Sequence, residues 1–192
     1  KLTIKNYNLF EMIDLSVAYP KSAAPNLSEV RKMLNFISNY YDEIIIVTVS
    51  SKMSAINQVF KNVAKEINNK KITVIDSLKN SVAQGLIVHE IQELINKDLE
   101  YEKIIIEANK VISNTEILVH VDTLDNMVRS GRVKKSLGLI GKLLGLKPIV
   151  SIDNKGEGIV LKKSIGRTSN INKIIKKVKK DGTYTVTDML FS

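Results

Sequence analysis

An α/β fold, with a parallel-sheet domain followed by a smaller α/β domain built on a mixed sheet, is what this sequence predicts. Three observations carry that reading. Helical and strand periodicities alternate as far as Ser113, the strands in that stretch are unbroken Ile/Val runs, and beyond Ser113 the pattern changes to short strands joined by a tight turn.

The first helix opens at Asn26-x-x-Glu29, a capping box, ahead of Val30, Met33, Leu34 and Ile37 on one face. Glu43 to Val49 follows as a strand whose continuous Ile/Val run suits burial on both faces. Ile56, Val59, Phe60, Val63, Ala64 and Ile67 recur at helical spacing, and Ile72 to Ile75 forms a second short apolar strand. Strand, loop, helix, strand at these lengths is a parallel crossover, the repeating unit of a doubly wound sheet. Helices are expected at Ser81 to Asn96 and at Leu99 to Ile112, the second grouping Ile104, Ile105, Ala108 and Val111. A domain boundary near Ser113 divides the chain into residues 1–113 and 114–192.

In the second part, a strand at Ile117 to Val121 precedes a short helix at Leu124 to Val128, a turn at Gly131 and an apolar helix from Leu137 to Leu144. Lys147 to Ile152 reads as a strand, and Asp153-Asn154-Lys155-Gly156 as the hairpin turn into Gly158 to Leu161. The last helix, Asn170 to Lys180, groups Ile171, Ile174, Ile175 and Val178 on one face and lysines on the other, ahead of a short β-prone tail at Thr183 to Thr187.

Composition removes whole classes of chemistry. The 192 residues, 44% of them hydrophobic, suffice for a real core. There is no cysteine, so thiolate metal sites and thiol nucleophiles are absent, and His89 and His120 are the only imidazoles. Neither has a partner at ligand spacing, and both are read as structural. No run of about eighteen apolar residues and no signal-peptide pattern is found, so the expected location is the cytoplasm. The net charge of +9 is concentrated between Lys162 and Lys180, where no acidic residue falls. A solvated basic helix face accounts for it better than a nucleic-acid surface, because stacking aromatics are scarce and tryptophan is lacking. The phosphate-loop, dinucleotide, nucleophile-elbow and zinc-protease signatures are all missing.

What remains is a set of loop tips. Ser50-Ser51-Lys52-Met53-Ser54-Ala55-Ile56 sits where a buried strand ends and a helix begins, the place where open α/β sheets bind ligands. Ser54 is expected to cap that helix, so that its hydroxyl and the amides of Ala55 and Ile56 converge where an anion would be stabilised. Lys21-Ser22-Ala23-Ala24-Pro25 precedes a helix in a similar position, and Asp76-Ser77 closes the next strand. Arg132, after Gly131, can grip an anion with two N–H groups. Gly138, Gly141 and Gly145 keep one face of their helix thin enough for close approach.

Read in order, Lys21-Ser22-Ala23-Ala24-Pro25, Tyr41-Asp42-Glu43-Ile44-Ile45, Ser50-Ser51-Lys52-Met53-Ser54, Val74-Ile75-Asp76-Ser77, Val121-Asp122-Thr123-Leu124 with Ser130-Gly131-Arg132, and Leu146-Lys147-Pro148-Ile149 resemble the successive signatures of the bacterial DegV family. That resemblance covers nearly the whole chain. It implies two α/β domains with a long-chain fatty acid bound non-covalently between them, and a protein that carries out no bond chemistry and needs no cofactor. The carboxylate would be held by Ser22 and by Ser54 with Ala55, supported by Arg132, and presented to a separate fatty acid kinase for phosphorylation. Two departures thin the head-group contacts: Ser22-Ala23-Ala24 lacks hydroxyl and amide groups usual in that loop, and Ser54-Ala55-Ile56 stands where serine-glycine-threonine is usual. The family's opening strand, ending in an aspartate-serine pair, would precede Lys1, and Thr183 to Ser192 does not carry its histidine-glycine-proline segment. The expectation is therefore a chain that starts at an internal point of the family pattern. Two other functions are weighed against the lipid carrier: a nucleic-acid-binding protein using the basic C-terminal helix, and a degenerate relative whose pocket is filled.

Overall fold

The computed structural model describes residues 21–68, 70–133, 147–162 and 166–180. Helix α1 (Leu27–Ser38) begins with the expected capping box: the Asn26 side chain accepts from the Glu29 amide, and the Glu29 carboxylate accepts from the Asn26 amide. Strand β1 (Glu43–Thr48), helix α2 (Ile56–Ala64) and strand β2 (Lys71–Asp76) complete a strand-helix-strand crossover, and β1 and β2 pair in parallel from Glu43 opposite Lys71 to Thr48 opposite Asp76. Helices α3 (Ser81–Asn96) and α4 (Tyr101–Asn114) follow.

Both faces of this sheet are covered. Ile45 and Val47 of β1 pack with Ile75 of β2 against Ile87, Ile91, Ile104, Ala108 and Ile112 of α3 and α4. On the other face Ile46 and Val74 meet Val30, Leu34, Phe60 and Val63 of α1 and α2. Two-sided burial is why the strands read as unbroken apolar runs. Ile87 is 0% exposed in the first of these clusters, so Ile87→Ala is expected to cost about 2–5 kcal/mol, as deletion of a buried branched side chain does. Urea denaturation measures it, and a loss below about 1 kcal/mol would contradict this packing.

A second sheet has the order β3-β4-β5 and is antiparallel, with strands β3 (Val119–His120), β4 (Ile149–Ile152) and β5 (Gly158–Lys162). A parallel bridge from Val133 to Gly158 adds a mixed element to it. Between β3 and β4 lies the short helix α5 (Asp125–Arg129), and helix α6 (Arg167–Lys180) follows β5. A parallel sheet and a separate small sheet of other polarity agree with the predicted α/β class.

Two elements differ from the sequence reading. β3 is two residues long where Ile117 to Val121 was expected, and it stops before Val121 because the Val121 amide bonds the Pro148 carbonyl and proline has no N–H to extend the ladder in return. α6 begins three residues early, and its four expected core residues divide: Ile171 and Ile175 are 43% and 45% exposed, while Ile174 and Val178 are half-buried. The helix is turned by a polar anchor. Asn170, wholly buried, donates through its amide to His120 Nδ1 at 2.9 Å and to the Lys147 carbonyl, and Lys177 pairs with Glu116 at 2.7 Å. His120 therefore has the structural role expected of it, while His89 is exposed on α3. The glycine-bearing helix at Leu137 to Leu144 and the tail at Thr183 to Thr187 lie outside the described residues.

Candidate functional site

The carboxyl ends of β1 and β2 lead into two loops that are bound to each other. Ser50, wholly buried, donates its amide to the Lys79 carbonyl at 2.8 Å, and its carbonyl accepts the amides of Met53 and Ser54. Asp76 accepts from the Ser51 amide at 3.2 Å and from the Leu78 amide at 3.0 Å, so its carboxylate ties one loop to the other while forming an Asx turn. Ser77 makes the matching hydroxyl turn with the Lys79 amide at 3.1 Å. Below them Asn57 donates to Thr48 Oγ1 at 2.9 Å, which in turn donates to the Ile75 carbonyl. The side chains of Thr48, Ser50, Asn57, Asp76 and Ser77 each make a hydrogen bond in this rim, which fixes the loops without relying on apolar contact.

The second sheet is locked onto that rim. The Ser50 hydroxyl donates to the Gly156 carbonyl at 2.7 Å, across the β4–β5 hairpin turn. Gly156 has a φ of +83°, and Asp153 Oδ1 accepts the Lys155 and Glu157 amides, so the hairpin turn is built as the Asp153-Asn154-Lys155-Gly156 spacing predicts. Gly131, with φ +71°, ends α5 in a Schellman motif: its amide bonds the Val128 carbonyl and the Arg132 amide bonds the Met127 carbonyl. That turn delivers Arg132, whose Nε donates to the Met53 carbonyl at 3.3 Å and whose Nη1 donates to the Ser130 carbonyl at 2.8 Å.

Arg132 is thus hydrogen-bonded to the loop that carries Ser54, at the residue before it. Ser54 is half-buried and its hydroxyl accepts from the Ile56 amide at 3.3 Å. The hydrogen-bonded ladder of α2 starts from the Ala55 carbonyl, but Ala55 already has helical φ and ψ, and the Ser54 hydroxyl accepts the Ile56 amide as a capping serine does. Ala55 is exposed at the helix start. Ser22 lies on the exposed segment ahead of α1, and no hydrogen bond joins it to Ser54 or Arg132.

Two residues were missed by the sequence reading. Ser50 is the serine that joins the two sheets, and Lys79 is 4% exposed. Burial holds the Lys79 pKa below the usual lysine value, with Asp153 and Glu116 pulling it the other way. Leu78 and Ser81, on either side, have φ of +51° and +49°, a conformation that costs side-chain-bearing residues about 1–3 kcal/mol each. A cleft of about 480 Å³ lies beside Lys79, and Ser22, Ser54, Ala55 and Arg132 are not among its lining residues. Among the described residues there is no group of His, Asp and Glu that could hold a metal, and no helix long and apolar enough to cross a membrane.

The model of a family described as DegV, of uncharacterised proteins, matches residues 1–188. A DegV domain-containing protein of Clostridium acetobutylicum is 29% identical over 177 residues, 92% of this chain and 62% of that protein. A protein of Thermotoga maritima named a fatty acid-binding protein is 27% identical over 177 residues, 91% of this chain and 61% of its own length. Among solved structures, a fatty acid binding DegV family protein from Streptococcus agalactiae superposes with a TM-score of 0.84 at 21% identity, covering 92% of this chain and 63% of that one. At that identity the likeness is one of fold. The chain spans less than two thirds of the length of these relatives.

Proposed function

The chain belongs to the DegV family, and from that premise we propose that it binds a long-chain fatty acid non-covalently. The acyl tail lies between an N-terminal domain, residues 1–113, and a C-terminal domain, residues 114–192. Ser22 and Ser54 hold the carboxylate through their hydroxyls, the Ala55 amide adds a donor at the start of α2, and Arg132 supplies the supporting positive charge. The observation that carries this reading is the family match along nearly the whole chain, joined to a relative of Thermotoga maritima named for fatty acid binding. One point of geometry supports it: Arg132, from the turn after α5, bonds the Met53 carbonyl next to Ser54 in the loop at the carboxyl end of β1.

In this reading the protein supplies no catalytic group. It presents the carboxylate to a separate kinase that phosphorylates it, and the basic face of α6 is the docking surface for an acidic patch on that partner. The cytoplasm is where such an exchange would occur. Denaturing extraction of the purified protein, followed by mass spectrometry of the extract, tests the lipid step. The expected result is a long-chain fatty acid approaching one molecule per chain. An extract free of lipid, from protein that also takes up no added fatty acid, would remove the proposal and leave a family member with a filled pocket.

A further inference from the structure

Lys79 has a property the fatty-acid reading does not use. Among the described residues it is the only charged one that is buried, at 4% exposed. It lines the cleft of about 480 Å³ where the loop after β2, the end of α4 and the β4–β5 hairpin meet. Its ammonium makes no hydrogen bond, and among the described residues no carboxylate stands within salt-bridge distance of it.

Two carboxylates act on Lys79 from farther off, Asp153 and Glu116, and each is engaged elsewhere. Asp153 Oδ1 accepts the Lys155 and Glu157 amides, both at 2.9 Å, and Glu116 Oε2 is 2.7 Å from Lys177 Nζ. The stem of Lys79 is buried while its ammonium opens onto the cleft, so an anion of matching size there would meet a partly desolvated cation that has no salt-bridge partner among the described residues. The same cleft is lined by Asn114, Ser151 and Asn154, whose side chains can donate to oxygen, by Ser113 and Thr115, whose hydroxyls donate to the Lys110 and Val111 carbonyls, and by Glu116 and Asp153 themselves.

We propose that this cleft is a second ligand site, which takes a small oxyanion, a phosphate or a carboxylate, against the Lys79 ammonium. It is separate from the fatty-acid head-group residues, because Ser22, Ser54, Ala55 and Arg132 do not line it. An anion here would touch the β2 loop, the end of α4 and the β4–β5 hairpin at once, so its binding would tighten the junction between the two sheets.

The test is thermal unfolding of the full chain titrated with inorganic phosphate and, separately, with acetate, against sodium chloride at equal ionic strength. The expected result is a saturable rise in Tm with phosphate or acetate beyond that with chloride, with whichever anion gives the larger rise identifying the class. Lys79→Met should weaken the apparent affinity at least tenfold, and Ser54→Ala should retain it. Equal responses of Lys79→Met and the parent, no response beyond chloride, or loss of the response in Ser54→Ala would each overturn the proposal. A measurement on the unsubstituted protein covers the case of a misfolded variant: the rate of Lys79 acetylation by acetic anhydride, read by peptide mass spectrometry, should fall several-fold under saturating phosphate. An unchanged rate under both anions would overturn it as well. Failure of these tests leaves the lipid extraction result untouched.

Discussion

A Gly156→Ala variant is expected to unfold at markedly lower urea concentration than the parent, by roughly 2–4 kcal/mol in stability. Two costs combine. At φ +83° an alanine must hold a left-handed conformation, worth about 1–2 kcal/mol against it. The added methyl would also fall on the Ser50 hydroxyl, in a junction with no slack because that hydroxyl donates to the Gly156 carbonyl at 2.7 Å. Ser50 carries the loop that holds Ser54 and meets Arg132 through Met53, so the damage should spread from the hairpin to the rim of the parallel sheet. The double variant Ser50→Ala/Gly156→Ala separates the two costs: removing the hydroxyl relieves the clash but not the backbone strain, so the pair should be less destabilised than the sum of the single changes. Additive effects would mean that the hairpin and the serine loop are not in contact, and a Gly156→Ala protein as stable as its parent would remove the junction altogether.

That junction also marks where the sequence stops being informative. The capping box at Asn26 and Glu29 and the apolar run Ile44 to Val47 were readable because their causes are local or strictly periodic, and α3 runs from Ser81 to Asn96 as its spacing predicts. The role of Ser50 was not readable. What buries it is a hairpin more than a hundred residues later in the chain. Lys79 escaped for the same reason: a lysine after a strand is normally solvated, and only the meeting of three distant segments encloses this one. On α6 the apolar residues were identified correctly and their orientation was not, because Asn170, a polar residue invisible to hydrophobic periodicity, sets the face that turns inward. Arg132 was legible as a candidate because Gly131 announces a turn, and the turn places it as an arginine beside the serine loop.

Shortening the acyl chain should weaken binding far more than removing a head-group hydroxyl. A buried methylene contributes about 0.8 kcal/mol, so taking eight methylenes from a long-chain acid should cost on the order of 6 kcal/mol, about four decades in Kd. A single neutral hydrogen bond contributes about 0.5–1.5 kcal/mol, so Ser54→Ala should cost roughly tenfold at most. The contrast is sharper in this chain than the family pattern implies, since alanines at positions 23, 24 and 55 leave few side-chain donors around the carboxylate. On the proposed reading, with the polar end so thin, the affinity comes from the tail, and the head-group residues act mainly to set which end of the acid faces outward. Titration of the delipidated protein with a homologous series of fatty acids, with and without Ser54→Ala, measures both slopes. A Kd that hardly changes with chain length would place the tail in solvent and end the carrier reading, whereas a steep length dependence with a small Ser54→Ala effect is what an interior tail and a lightly held carboxylate require.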